Sequence, residues 1–261
     1  MTHKKTFQIG GIHLDKHKIS ALNPIIDAGV PELVYIPVRQ HIGAPAVLQK
    51  TKGDKVKIGT LLAAADGVVS ADVHSSVAGE IVKIEEMPGS SGYQELTVVI
   101  KTAPDEFETG IDTGSDIVKE ITASREEIIS AIRKAGIVGM GGAGYPTPIK
   151  TELPENKKAD CLIVNAIECE PYLTADGALM LEKAEQIIIG AKIINKALGI
   201  QNAVIAIDEN KPQAIEKLTK ISKSYIGVNV RVCKSKYPQG GERQLINAIT
   251  GREVPSGRLP I

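Results

Sequence analysis

The sequence predicts an α/β protein in which a small β-rich segment precedes a segment of alternating strands and helices. Between residues 34 and 101, short apolar runs are separated by turn pairs such as Gly53–Asp54 and Asp66–Gly67, a pattern typical of strands joined by tight turns. From residue 123 onward, short apolar runs alternate with longer stretches of helical periodicity, which indicates a parallel sheet covered by helices. A chain of 261 residues accommodates about two such domains.

Four regions follow from these patterns: an N-terminal arm (1–33), a β-rich domain (34–103), a linker (104–122) and an α/β domain (123–261). Strands of the β-rich domain are predicted at 34–38, 55–58, 68–69, 71–73, 80–84 and 96–100. Strands of the α/β domain are predicted at 161–164, 203–207 and 228–232. Helices are predicted after a capping box at Ser124, over 177–198 up to Gly199, from Pro212 to 221, and over 242–249.

Composition excludes several classes of function. Lys plus Arg and Asp plus Glu number 31 each, and aromatic residues make up 3% of the chain without any Trp, so neither an electrostatic nor a stacking platform for nucleic acid is expected. No apolar run reaches the roughly 20 residues of a membrane helix, and no signal peptide is evident, so we expect a cytoplasmic protein linked to any membrane through partners. Three separated cysteines without a CxxC pair predict neither disulfides nor a metal or cluster site in this chain. His13 and His41 leave metal binding open beside capping and inter-domain hydrogen bonding, which we favour.

A glycine-rich stretch after the first helix of the α/β domain is the most informative part of the chain. Gly139, Gly141 and Gly144 satisfy G-x-G-x-x-G, but they follow a predicted helix rather than a strand, which argues against an ordinary dinucleotide fingerprint. Glycines let backbone N–H groups approach a flat ring or a phosphate closely, and Thr147 and Lys150 would add a hydroxyl and a positive charge. The alternative interpretation is a flexible glycine loop.

Polar residues follow two predicted strands of the α/β domain, at the sheet edge where ligands of parallel sheets bind. Asn165, Glu168 and Glu170 come after the first strand, and residues 208–211 come after the second. Such residues are often only solvated loop, but two closely spaced carboxylates also fit recognition of a ribose diol. They lack the histidine and the spacing of a zinc site.

Two segments of the β-rich domain, 53–63 and 73–82, resemble the biotinyl- and lipoyl-type barrel-sandwich hybrid. Domains of this type that carry a swinging arm place a lysine in the hairpin between those halves. The corresponding stretch here, 64–70, has no lysine, so the resemblance implies the fold but not covalent lipoylation. We therefore expect a structural or docking role for this domain.

Motifs along nearly the whole chain resemble RnfC, a component of the Rnf electron-transport complex. The matching stretches are 10–13, 40–46, 136–139 with 141–147 and 150, 168–176, 236–242, 254–257 and 259–260. The resemblance implies an N-terminal barrel-sandwich hybrid (lipoyl-like β) domain followed by a complex-I-type FMN-binding α/β (Rossmann-like) domain.

The α/β domain also resembles the FMN- and NADH-binding component of respiratory complex I, in its G-G-A-G-F-P-T, N-A-D-E-S-E-P and Y-x-x-G-E-E segments. These correspond to 141–147, 165–171 and 237–242 here, with Tyr145, Ile167 and Gly241 as departures. The resemblance implies a set of cofactor-binding residues, with no catalytic acid or base and no metal ligand. Gly141, Gly142, Gly144, Lys150, Asn165 and Tyr237 are implied to line the flavin, Glu168, Glu170 and Glu242 to face the nucleotide, and Gly139, Thr147, Gly240 and Gly241 to complete the site.

The implied function is hydride exchange between NAD(H) and FMN in an ion-translocating NAD:ferredoxin oxidoreductase, with electrons passed to or from iron–sulfur clusters and a ferredoxin-type carrier. The implied partners are the other Rnf proteins at the membrane, which would hold this chain peripherally on the cytoplasmic side. Family members add a further FMN-phosphate segment, a β-grasp domain and a ferredoxin-like domain with two [4Fe–4S] clusters. We expect these regions to be absent from the present sequence, which leaves open whether it is active alone.

Three other interpretations stay open. A cobalamin reductase or a proline-reductase electron-transfer protein would share the glycine loop, although Gly10–His13 and Glu168–Thr174 favour Rnf. A non-catalytic docking scaffold would have no affinity for flavin. A Rossmann dehydrogenase would need a strand-first fingerprint and a proton donor, which the motif lacks.

Overall fold

The computed structural model describes residues 4–89, 92–140, 142 and 144–260. The chain divides into two compact units, and each is described by itself. The barrel unit consists of residues 27–116 and 126–153, and the sheet unit consists of residues up to 26, 117–125 and from 154 onward. The domain boundaries from the sequence stay a prediction, because packing alone does not test which segments fold independently.

The barrel unit is built from two antiparallel sheets. Its strands are β1 (Leu33–Pro37), β2 (Val47–Leu48), β3 (Lys55–Val56), β4 (Leu61–Ala64), β5 (Val73–His74), β6 (Gly79–Pro88) and β7 (Gln94–Thr102). One sheet has the order β1-β7-β6-β3 and the other the order β2-β4-β5. Their shared core includes Leu62, Ile81, Val98 and Ile100, all fully buried, and removing these side chains from water is the main stabilising term for the unit.

Two differences from the predicted strands have a simple physical cause. Val68–Val69 is not a strand, since the chain turns there and Val68 is 82% exposed. Strand β4 was not predicted as a separate strand, because Leu62 and Ala63 are both buried and the alternation of a half-buried strand is therefore missing.

The sheet unit contains a three-stranded parallel sheet with helices, as the alternation of elements predicts. The strands are β8 (Leu162–Ala166), β9 (Ala203–Asp208) and β10 (Val228–Cys233), in the order β10-β9-β8. The central strand β9 is buried along its whole length, which places its carboxyl end, Asp208, at the middle of the sheet edge. Residue Lys5 of the N-terminal arm pairs in parallel with Cys233, so the arm continues the sheet beyond β10.

Six helices occur within the described residues of the two units. They are α1 (Arg125–Lys134), α2 (Thr147–Thr151), α3 (Ala175–Glu182), α4 (Ala184–Leu198), α5 (Pro212–Ser222) and α6 (Glu242–Thr250). No helix of the described ranges combines the length and the apolar character that a membrane span requires. The helix predicted over 177–198 is wrong as a single element, because the backbone of Lys183 (φ −120°, ψ 30°) interrupts it. Met180 and Ala184, on either side of the break, are each only 2% exposed, so the change of direction lets both helices pack on the core.

Candidate functional site

The glycine-rich loop of the barrel unit is closed at its base by backbone hydrogen bonds. The N–H of Gly139 donates to the carbonyl of Tyr145 at 2.9 Å, and the N–H of Thr147 donates to that of Ile137 at 3.0 Å. Gly142 has φ +141°, and a Cβ added there would meet nothing within 4 Å. The backbone of Gly142 is therefore open, which is what close approach of a flat ring requires.

Thr147 and Lys150 lie on α2, directly after this loop, and both are half-buried. The Nζ of Lys150 lies 5.6 Å from the centroid of the Tyr145 ring, within the range of a cation–π contact. Gly141 lies outside the described residues. Gly139, Gly142, Gly144, Thr147 and Lys150 all belong to the barrel unit.

Asn165 joins two loops at the carboxyl edge of the parallel sheet. Its Nδ2 donates to the carbonyl of Gly240 at 2.9 Å, and its Oδ1 accepts the N–H of Ile167 at 3.3 Å. The N–H of Gly240 in turn donates to the Sγ of Cys169 at 3.3 Å, and a Cβ on Gly240 would lie 3.1 Å from that sulfur. The loop after β10 thus lies close against the loop after β8, and a side chain at position 240 would press on Cys169.

Glu168 is buried at this edge, just after β8. Its backbone is left-handed (φ 52°), and its side chain is only 3% exposed. The Oε1 accepts the N–H of Asp176 at 2.9 Å, in the first turn of α3, where a carboxylate is favoured by the helix dipole. The Oε2 lies 3.3 Å from the Nζ of Lys211 and 3.9 Å from that of Lys18. These are charge contacts, since Oε2 has no aligned hydrogen-bond partner among the described residues.

Lys18 of the N-terminal arm fastens the loop that carries Glu168 and Glu170. Its ammonium donates to the backbone carbonyls of Glu168 at 3.0 Å and Glu170 at 2.9 Å, and also to that of Leu173. Burial lowers the pKa of Lys18, and the negative charge of Glu168 opposes that lowering of the pKa. A further backbone bond, from the N–H of Tyr172 to the carbonyl of Lys16 at 2.9 Å, fixes the same loop.

The arm also pairs with the loop after β10. Ile12 and Tyr237 form an antiparallel bridge with N···O distances of 2.9 and 2.8 Å. The ammonium of Lys16 donates to the hydroxyl of Ser235, which donates to the carboxylate of Asp208. The arm thus makes contacts at or just beyond the carboxyl end of each of the three strands.

The segment from Tyr237 to Glu242 contains one unusual side chain. Gln239 is fully buried, and neither its Nε2 nor its Oε1 has a hydrogen-bond partner among the described residues. Tyr237 is 37% exposed and precedes a cis peptide bond to Pro238. Glu242 begins α6, and Gly241 is its N-cap residue.

Seven predicted site residues belong to the sheet unit. They are Asn165, Glu168, Glu170, Tyr237, Gly240, Gly241 and Glu242. Three further residues at this edge, Lys16, Lys18 and Gln239, were not among the predicted site residues. The basic run Lys16-His17-Lys18, set in an arm with few other features, was the available signal for the first two.

Neither the cysteines nor the histidines form a metal site in the part of the chain that the structure describes. Burial raises the pKa of Cys161 and of Cys169, and it raises the pKa of Cys233 to about 12. The imidazole of His41 instead bonds to backbone groups of the barrel unit, with the N–H of Ala71 donating to Nε2 at 3.2 Å.

Two family models match this chain. The RnfC barrel sandwich hybrid domain matches residues 5–105, and the Nuo51 FMN-binding domain matches residues 132–261. Curated relatives are the C subunits of a proton-translocating ferredoxin:NAD(+) oxidoreductase complex from Clostridium ljungdahlii (45% identity over 98% of this chain) and of a Na(+)-translocating one from Acetobacterium woodii (43% over 96%). The chain belongs to the RnfC family.

This membership confirms the predicted fold class, a barrel-sandwich hybrid followed by a complex-I-type FMN-binding domain. The chain spans 55% of the Clostridium relative and 56% of the Acetobacterium relative. The alignment with a solved NAD+-reducing [NiFe]-hydrogenase covers 53% of this chain and 26% of the hydrogenase chain, with 26% sequence identity and a TM-score of 0.47. This likeness is too partial to establish a fold. Lys16 and Lys18 lie in the range of the RnfC model, yet they pack on residues of the Nuo51 range.

Proposed function

We propose that this chain is the FMN- and NAD(H)-binding part of an Rnf-type electron-transfer protein. The observation that carries the proposal is the match of residues 132–261 to the Nuo51 FMN-binding domain, in the same chain as the RnfC domain. The names of the relatives, which belong to ferredoxin:NAD(+) oxidoreductase complexes, support hydride exchange between NAD(H) and FMN followed by electron transfer to a ferredoxin-type carrier.

The residues present fit such a cofactor. A buried amide without partners costs about 1–3 kcal/mol for each unsatisfied group, and Gln239 carries both an unpartnered donor and an unpartnered acceptor among the residues that the structure describes. The edge of a flavin ring offers adjacent N–H and C=O groups, which an amide can match on both sides. The open backbone of Gly142 likewise supports approach of a flat ring to the glycine loop.

We assign the remaining residues by the chemistry of their groups. We assign the backbone N–H groups of the glycine loop and the charge of Lys150, in the barrel unit, to flavin binding. For Asn165 and Tyr237, in the sheet unit, the same assignment rests on their motifs alone. Glu170, which is exposed, and Glu242 would accept hydrogen bonds from the hydroxyls of NAD(H). We assign Glu168 to the shape of its loop, because Asp176 and two lysines already contact its carboxylate.

FMN, when bound, supplies the chemistry of taking up a hydride and releasing electrons one at a time. The side chains named above bind and orient, and none is proposed as an acid or a base. Thiolate chemistry is not proposed either, since burial raises the pKa of all three cysteines and a thiol is the less reactive form.

The partners follow from the same family. We propose that other Rnf proteins hold this chain at the cytoplasmic face of a membrane and couple its electron transfer to ion translocation. A [4Fe–4S] cluster needs about four cysteine ligands, and this sequence has cysteines only at 161, 169 and 233. We therefore place the two clusters of the relay outside these residues.

The test is a titration of the chain with FMN, followed by quenching of flavin fluorescence. We expect saturation with a dissociation constant of about 1 μM, a binding free energy near −8 kcal/mol. In the FMN-loaded chain, Glu170→Ala should slow reduction by NADH, whereas Glu216→Ala, on the exposed face of α5, should not. Absence of quenching at about 100 μM chain would refute the proposal for these residues and favour the docking scaffold instead.

A further inference from the structure

The barrel contacts the glycine loop directly within the barrel unit. Residues 126–153 belong to the same compact unit as the barrel strands. Within it, the N–H of Ile42 donates to the carbonyl of Gly144 at 3.3 Å. The segment 40–44, between β1 and β2, therefore lies against the C-terminal end of the glycine loop.

Two glycines make this contact possible. Gly144 has φ +60°, and a Cβ there would lie 3.0 Å from the carbonyl oxygen of Gln40 and 3.1 Å from the Cα of His41. Gly136, at the other end of the loop, has φ +63°, and a Cβ there would lie 2.1 Å from the carbonyl oxygen of Asp72. Both ends of the loop thus touch barrel backbone, and a side chain would clash at Gly136 and be strained and tightly packed at Gly144.

His41 holds the barrel side of this contact in shape. It is 6% exposed, and its Nε2 accepts the N–H of Ala71 at 3.2 Å. Because Nε2 is an acceptor, we assign the proton to Nδ1, which donates to the carbonyl of Ile42 at 3.1 Å. The Nε2 bond therefore links segment 40–44 to the hairpin that follows β4, while the Nδ1 bond lies within segment 40–44 and orients the ring.

That hairpin is the one in which a swinging-arm domain would carry its lysine. Here it folds onto segment 40–44 instead. The N–H of Ala44 donates to the carbonyl of Val69 at 3.0 Å, and the hydroxyl of Ser70 donates to the carbonyl of Ala44 at 3.0 Å. A Cβ on Gly43 would lie 2.1 Å from the carbonyl oxygen of Val69, so the two backbone segments are too close together for a side chain at position 43.

We propose that the barrel positions the glycine loop for flavin, with His41 as a positioning residue. The hairpin 64–72 and the segment 40–44 together form the surface that supports the glycine loop, which we call the seat. The barrel thereby contributes to cofactor binding by positioning this loop, and no lysine of the hairpin is involved. This inference rests on the proposed function, since it assigns a role in holding FMN.

The test compares His41→Leu with His41→Gln. Leucine removes both hydrogen bonds, whereas the Oε1 of glutamine can still accept the N–H of Ala71. In the chain without ligand, we expect hydrogen exchange at residues 139–147 to become about tenfold faster in His41→Leu and to be largely restored in His41→Gln. The dissociation constant for FMN should rise by about the same factor in His41→Leu and recover in His41→Gln.

Two glycine variants distinguish a loss of loop positioning from a general destabilisation of the barrel. Gly136→Ala puts a methyl group against Asp72 and should reproduce the effects of His41→Leu. Gly53→Ala imposes strain at φ +94° but meets nothing within 4 Å, and should change neither exchange at 139–147 nor FMN affinity. If hydrogen exchange at residues 139–147 is unchanged in both His41→Leu and Gly136→Ala, the barrel does not position the glycine loop. If that exchange becomes faster while the affinity for FMN is unchanged, the positioning has no role in FMN binding. If the unmutated chain does not bind FMN, the proposed function fails while the exchange data still decide the seat.

Discussion

The contact of Lys18 with the loop after β8 leads to a quantitative prediction. Lys18→Met keeps most of the aliphatic stem but removes an ammonium that donates to three backbone carbonyls and faces Glu168. The carbonyl of Glu168 is partly buried, whereas those of Glu170 and Leu173 are exposed. Water can therefore replace the donor at two of the three carbonyls after the substitution.

The magnitude follows from this difference in burial. Loss of one partly buried, charge-assisted hydrogen bond costs about 1.5–3 kcal/mol, and each exposed one much less. The carboxylate of Glu168 keeps Lys211 at 3.3 Å, so no isolated buried charge is left behind, which would otherwise raise the cost. We expect the free energy of local opening of residues 168–176 to fall by about 2–3 kcal/mol, which corresponds to hydrogen exchange about 30- to 150-fold faster.

Hydrogen exchange followed by mass spectrometry measures this change peptide by peptide. Peptides from β9, which is fully buried, report opening of the whole sheet unit and should change less than residues 168–176. In Lys18→Arg, hydrogen exchange at residues 168–176 should be intermediate between that of the parent and that of Lys18→Met. Arginine keeps the positive charge, but its planar guanidinium does not have the compact geometry of the ammonium. Lys223→Met, at an exposed position after α5, is the control. A change in exchange at 168–176 no larger than that of the control would show that the arm does not fasten this loop.

Three further results are expected. Gln239→Met should raise the free energy of unfolding, measured in urea titrations, by about 1–2 kcal/mol, because it removes a buried amide without partners among the described residues. The same substitution should weaken FMN binding. A loss of stability would mean that the amide is paired. Hydrogen bonds from Lys4 and then from the N–H of Ser235 lower the pKa of Glu209 from 4.5, so the ionised form stabilises the fold above that value and the contribution disappears as pH falls through the lower folded-state pKa. Glu209→Gln should therefore be less stable than the parent at neutral pH, and this difference should shrink as the pH falls below 4.5. A pH-independent difference would contradict this. Cys233, with a pKa of about 12, should resist alkylation at about pH 8 until the chain unfolds, and labelling as fast as that of a free thiol would refute its burial.

The order and type of elements in the sheet unit could be predicted because their local signals agree with their environment. Pro212 begins α5 and Gly199, at φ 68°, ends α4, as their backbone preferences require. The break at Lys183 could not be predicted, because no proline or glycine marks it and it depends on the packing of Met180 and Ala184.

The candidate site was predictable where its chemistry sits in motifs, and not where it depends on distant contacts. Asn165 and Gly240 were identified from their segments, but their hydrogen bond joins positions 75 residues apart. Lys18 lies 150 residues before Glu168, and nothing in the sequence of the arm indicates where its ammonium is placed. The unsatisfied amide of Gln239 is likewise visible only once the surrounding atoms are known.

The pairing of the arm with β10 and with the loop after it has a consequence for the order in which the protein can fold during synthesis. Lys5 pairs with Cys233 and Ile12 with Tyr237, so the arm must wait for residues that are made much later. The barrel unit, confined to residues 27–116 and 126–153, has no such delay. Domains generally form as they emerge, and contacts of large sequence separation form slowly. We therefore expect nascent chains halted at about residue 190 to protect the barrel from proteolysis while the arm is still cleaved.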